Sequence, residues 1–239
     1  MRRYVVLTIL ASLNLFPTGL WPDVNDGRII ISRQDKTIDV FVTLPGDMLE
    51  QLTGTGLDFL TDDDGKVDLN SFRVDTAPLG DRAFAPVTFA VGGDIVDAQA
   101  VALMMHAKDD EVPFDTPWDA LTAVTLCIVP EDAGPAPLAQ VQAYVGLSLY
   151  PVAGMEDLHI SFPQTHRADM RFDVLTFVDG SLQSHGPRVL PDGGTVTFEG
   201  ALIELRVPGH ALWLIMCLVV ALFGGVLWRS GVMAKTQTF

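Results

Sequence analysis

Two groups of residues in this chain have the types and spacing that chemistry requires. The first is Leu57-Asp58-Phe59-Leu60-Thr61-Asp62-Asp63-Asp64-Gly65-Lys66-Val67-Asp68. Carboxylates at alternate positions, a glycine for a sharp turn and then an aliphatic residue are what a calcium loop uses, so Asp58, Asp62, Asp64 and Asp68 are candidate calcium ligands. With Gly65 as the sixth loop position, Leu60 and Ser71 take the first and twelfth, and both outer carboxylates are missing. The competing reading is an Asp-rich solvated turn. The second group is rich in thioethers and imidazoles, which suit copper: His159 and His166, with Met104, Met105, His106, Met155 and Met170. Here the alternatives are methionine as core filling and histidine on a wet strand face.

Catalytic patterns are scarce. No glycine-x-serine-x-glycine elbow occurs, and Ser181 follows Gly180 in a hairpin-like turn. Cys127 lies in Leu126-Cys127-Ile128-Val129, where apolar neighbours keep a thiol protonated and inert. Adjacent acids such as Asp109-Asp110-Glu111 and Glu156-Asp157 have the usual pattern of a solvated surface. No glycine loop for phosphate is present. The expectation is a protein that is not an enzyme and has no cofactor, calcium excepted.

Charge is distributed unevenly over the 239 residues. Residues 23–208 hold all 30 acidic groups against 11 basic ones, a formal −19, while Arg2, Arg3, Arg229 and Lys235 at the two ends are unopposed. A body this acidic is repelled by phosphate backbones and anionic lipid, which excludes nucleic acid as a partner. Soluble cations, metal ions and basic protein patches remain. The second cysteine, Cys217, lies in an apolar run, so the two do not make a disulfide framework.

Two apolar segments set the layout. Met1-Arg2-Arg3 precedes 13 apolar-rich residues, Tyr4 to Phe16, and residues 1–22 read as a signal peptide or signal anchor. Ala211 to Trp228 is a run of 18 uncharged residues with Trp213 and Trp228 near its ends. That is long enough to cross the hydrocarbon core as a helix, and residues 209–229 are assigned to it. Arg229 and Lys235 follow without an acid, which places the 230–239 tail in the cytoplasm and the body in the periplasm of an inner membrane. The remaining layout is a β domain at 23–130, a linker at 131–137 (Glu131-Asp132-Ala133-Gly134-Pro135-Ala136-Pro137) and a second β domain at 138–208.

Between the anchors, period-2 alternation and β-branched residues predict strands at 29–32, 37–44, 86–91, 120–129, 143–150, 158–162, 170–177, 194–198 and 202–207. A short helix is expected at Asp47–Leu52 with Gly54 as its cap, and 95–107 suits helix or strand. The fold class is mainly β: an antiparallel sandwich, in one or two units, with a single C-terminal transmembrane helix.

Ile38-Asp39-Val40-Phe41-Val42-Thr43-Leu44, then Leu49 and Leu52, then Leu57-Asp58 leading into Asp62-Asp63-Asp64-Gly65-Lys66-Val67, resembles the exported N-terminal regions that precede some HupE/UreJ-type membrane domains. The likeness covers about residues 35–75 and implies an exported β module associated with membrane proteins, with no site residues carried over. The expected function is a single-pass accessory or interaction protein that presents an acidic sandwich to an integral membrane or periplasmic partner. A metal-handling module is the alternative.

Overall fold

A computed structural model describes residues 26–73, 75–110, 112–125, 134–151 and 153–200. The signal segment, Cys127, Cys217, the expected strand at 202–207, the apolar run at 211–228 and the tail lie outside the described residues. In chain order the elements begin with β1 (Gly27–Gln34), β2 (Thr37–Pro45), α1 (Gly46–Thr53) and β3 (Lys66–Val67). After a short 3-10 turn come α2 (Ala77–Phe84), β4 (Thr88–Val91), β5 (Asp94–Val96), β6 (Ala98–Ala107) and α3 (Pro117–Thr125). The last part holds β7 (Ala136–Pro137), β8 (Val141–Leu149), β9 (Leu158–Ser161), β10 (Met170–Val178), β11 (Ser181–Leu190) and β12 (Thr195–Phe198).

The chain is mainly β. Six strands form the larger sheet in the order β11-β10-β1-β2-β8-β6, and four form a second in the order β12-β9-β4-β5. The first sheet is mixed and not purely antiparallel as expected, because β1 runs parallel to β10, with Ile29 beside Val174 and Arg33 beside Val178. Strands on the two sides of the 131–137 segment pair with each other. Strand β8, from the second half, pairs with β2 on one side and β6 on the other. The described residues, 26 to 200, make one compact unit.

Burial explains the layering. Ile29, Ile30 and Ile31 are all buried, which requires cover on both faces of the large sheet. On one face the two sheets share an interior lined by Ile29, Val40, Val42 and Leu147 from the first and Phe89 and Ile160 from the second. Leu52 of α1 and Phe84 of α2 complete it. On the other face lies α3, whose Val124 approaches Gly146 and Phe41.

The helices follow local chemistry. Helix α1 buries Leu49 and Leu52 and ends at Gly54, whose φ of 69° is the left-handed conformation that glycine takes without strain. Helix α2 covers the edge of the large sheet. Thr76 Oγ1 accepts from the Leu103 amide (3.2 Å) and Asp81 Oδ1 from the Ala100 amide (2.7 Å), so the outer groups of β6 are not left as a template for aggregation. Strand was expected at 120–129, but residues 117–125 are helical. Pro117 opens the helix, and Thr116 Oγ1 caps it by accepting from the Asp119 amide (3.1 Å) while donating to Asp119 Oδ2 (2.8 Å). Among the described residues no helix is long and apolar enough to cross a membrane.

One buried cation ties the sheets together. Arg33, fully buried near the end of β1, donates to the carbonyls of Gly154 (3.2 Å), Glu156 (2.6 Å) and Phe198 (3.0 Å). Those carbonyls belong to the loop before β9 and to the end of β12, so Arg33 fixes the second sheet against the first. Burial holds its guanidinium below the usual pKa, and Asp157 opposes that shift.

Candidate functional site

The strongest site candidate grows from a row of side chains on the α3 face of the large sheet. Pairing sets Phe177 of β10 beside Ser32 of β1, Ser32 beside Asp39 of β2, and Asp39 beside Ser148 of β8. Ser32 and Ser148 are buried, and Asp39 is half-buried between them. Ser148 Oγ donates to Asp39 Oδ1 at 2.6 Å. Burial pushes the Asp39 carboxyl above its ordinary value, and the Ser148 hydrogen bond pulls the other way.

The row floors a cleft of about 430 Å³. Its opposite wall is the start of α3, with Thr116, Pro117, Trp118 and Leu121, and Gln34 and Gly180 close one side. Val101 also reaches the cleft from the irregularity that shifts the β6–β8 register between Ala100 and Ala102. Trp118 is 72% exposed, unusual for a tryptophan. No lysine, arginine or histidine lines the cleft. The site therefore combines a carboxylate lacking a cation in the lining, the hydroxyls of Ser32, Ser148 and Thr116, and an open indole. Such a set holds a cation through a carboxylate contact and ring stacking. No histidine lines the cleft beside Ser148.

A second cleft on the same face, about 460 Å³, includes Arg28, Lys108, Asp110, Asp115 and Tyr144 in its lining. Its charge is already matched. Arg28 pairs with Asp115 and with Asp173 (3.2 Å), and His185 Nε2 lies 2.8 Å from the other Asp173 oxygen. This network cross-links β1, β10, β11 and the segment before α3.

The candidate metal ligands are placed as follows. Asp62 Oδ1 accepts from the amides of Asp64 (3.0 Å) and Lys66 (2.8 Å), closing the turn in which Gly65 takes a φ of 72°. Asp68 Oδ1 accepts from the Asn70 amide (3.0 Å) at the start of the 3-10 turn. Asp58 precedes this turn, and its carboxylate lies beside Gly56. His159 stands on the wet face of β9 and bonds Thr197 Oγ1 (2.9 Å), while His166 occupies a loop with a φ of 60°. His106 is buried on β6, packed edge-on against Tyr144 with ring centroids 4.9 Å apart, with Nε2 3.4 Å from the Ala123 carbonyl of α3. Met104 Sδ accepts from Thr76, and Met170 is buried at the start of β10. Among the described residues no three His, Cys, Asp or Glu side chains are grouped to hold a metal ion.

The residues that sequence reasoning missed are Asp39, Ser148 and Trp118. Thr37, Asp39 and Thr43 of β2 and Gln142 and Ser148 of β8 were the available signal, because alternation places Asp39 and Ser148 on a face opposite Val40 and Leu147. Trp118 lies just before the strand expected at 120–129, where no local pattern marked it. No family model matches the chain, and comparison with curated proteins and with solved structures returns no match.

Proposed function

We propose that the chain is a single-pass, membrane-anchored accessory protein that presents an acidic β-sandwich in the periplasm and docks a basic segment of an integral membrane or periplasmic partner. The observation that carries this reading is the Asp39–Trp118 cleft, a carboxylate and an exposed indole with no basic side chain in the lining. Charge complementarity supports the choice of occupant, since a body of formal −19 attracts basic surfaces over a distance and rejects acidic ones. The uncharged run at 211–228 with its basic flank supports the anchor and its orientation. The likeness of residues 35–75 to exported regions of HupE/UreJ-type proteins supports an exported module beside membrane proteins.

Extraction of the full chain in mild detergent tests the reading. The parent is expected to elute with a membrane partner and the Asp39→Lys variant to elute without it. Elution of the parent as a lone monomer in every detergent contradicts the proposal.

A further inference from the structure

Among the described residues five large apolar side chains are strongly exposed: Ile95, Trp118, Tyr150, Leu182 and Val189. The strand register shows where they stand. Leu149 pairs with Ile38 and with Ala98, so Tyr150, the β1–β2 turn and the start of β6 share one end of the large sheet. Arg33 pairs with Val178, which brings the β10–β11 turn to that end, and Leu182 follows it by two residues. Ile95 lies just past the 92–93 turn, and the Gly92 amide of that turn donates to the Asp157 carbonyl (3.0 Å) in the loop that Arg33 holds. Trp118 opens beside Gln34 and Gly180, residues of the same two turns. Val189 is at the other end, opposite Arg171 and near Asp26, roughly 23 Å away along β1 at the usual rise per residue.

The last described residues, Phe198 to Gly200, also stand at the Tyr150 end. Arg33 holds the Phe198 carbonyl, and the Gly200 amide donates to Asp157 Oδ1 at 2.6 Å. Ten residues, 201–210, separate Gly200 from the uncharged run that begins at Ala211. Even fully extended they reach only about 35 Å. Tyrosine and tryptophan favour the membrane–water interface, where the ring is in the apolar boundary and the polar atom in the headgroups. Asp35, Asp94, Asp179 and the exposed Glu156 outnumber Lys36 at the same end, so an anionic surface is repelled and a zwitterionic one is tolerated.

Given a chain anchored as proposed, we infer that the body rests this end, through Tyr150, Leu182 and Ile95, on the headgroups of a zwitterionic bilayer. The cleft mouth at Trp118 then faces sideways just above the membrane, within reach of a partner's juxtamembrane basic segment.

Depth-dependent quenching of tryptophan by brominated lipid tests the inference. Full chains carry one tryptophan each, the remaining native ones being replaced by Phe, and are placed in phosphatidylcholine nanodiscs. One chain keeps Trp213, one carries Tyr150→Trp and one carries Val189→Trp. Brominated phosphatidylcholine is expected to reduce emission for Trp213 and for Tyr150→Trp, and to leave Val189→Trp unchanged. Exchange of half the lipid for phosphatidylglycerol is expected to restore the Tyr150→Trp emission while Trp213 remains quenched. Quenching of Trp213 without quenching of Tyr150→Trp overturns the inference and leaves the anchored reading intact. Equal quenching of Tyr150→Trp and Val189→Trp also overturns it. An unquenched Trp213 defeats the anchored reading and this inference together.

Discussion

Ser148 Oγ stands 2.6 Å from Asp39 Oδ1 and donates to it across the β2–β8 pair, in the floor of a cleft whose lining has no cation. A half-buried carboxylate with one hydroxyl partner costs the fold stability when it ionises. Because burial raises the Asp39 pKa, the folded chain keeps this proton at a pH where the unfolded chain has released it. Stability from this group is thus greatest below the unfolded value of about 4 and declines as pH rises through the folded value.

Asp39→Asn is expected to hold or raise stability at neutral pH, by at most about 1 kcal/mol given the water at the cleft mouth, and to flatten the decline above pH 4. The same variant loses partner retention. Chemical denaturation at several pH values, run beside detergent co-elution, checks both. Ser148→Ala does the opposite for stability, costing on the order of 1 kcal/mol because the carboxylate loses its donor.

His106 gives a second pH dependence of the other sign. Burial lowers its pKa, against the pull of the Ala123 carbonyl and Asp110. Between the ordinary imidazole value and the lowered one the unfolded chain binds the extra proton, so stability rises with pH through that window and is lost on acidification. The parent is expected to lose on the order of 1 kcal/mol between pH 7 and pH 5, and His106→Gln to show a flatter profile there. Thermal unfolding across that range is the measurement.

Arg33→Met removes the donors of three carbonyls at one end of the second sheet. Each stranded buried acceptor costs on the order of 1 kcal/mol, so the variant is expected to lose about 3 kcal/mol. Arg33→Lys does not rescue it, because a single ammonium cannot reproduce the forked geometry. Urea midpoints of the three chains decide the matter.

Asp62 closes its turn by accepting two amides, so Asp62→Ala is expected to cost about 1 kcal/mol with or without calcium, and Asp64→Ala much less. A calcium-dependent loss in the Asp62→Ala chain, absent in the parent treated with chelator, contradicts the reading of this carboxylate as a turn cap.

Much of the β framework was legible in the sequence because alternation is a strong signal where one face is wet. Leu158-His159-Ile160-Ser161 is buried and half-buried by turns, as its pattern predicts. Asp47–Leu52 with Gly54 announced α1 for the same reason, a capped amphipathic turn. Residues 120–125 misled because Ala, Leu, Val and Thr suit either state, and the capping pair Thr116/Asp119 outweighed the β-branched run. Strand β11 escaped notice because Gly186-Pro187 interrupts it, which an edge strand tolerates. The joining of the two halves was invisible, since the β1–β10 and β2–β8 pairings link residues far apart in the chain, as Ile29 with Val174 and Ile38 with Leu149. The Asp39 cleft depends on those same pairings and could not be assembled from local pattern.

The central claim is that the Asp39–Trp118 cleft holds a membrane partner, and site-specific photo-cross-linking in intact membranes tests it most directly. A photoreactive residue at Leu121, in the cleft wall, is expected to give one discrete adduct with an integral membrane protein. The adduct is expected to disappear in the Asp39→Lys background, and the same residue at Val189 is expected to give none. No adduct at Leu121, or an equal one at Val189, contradicts the account.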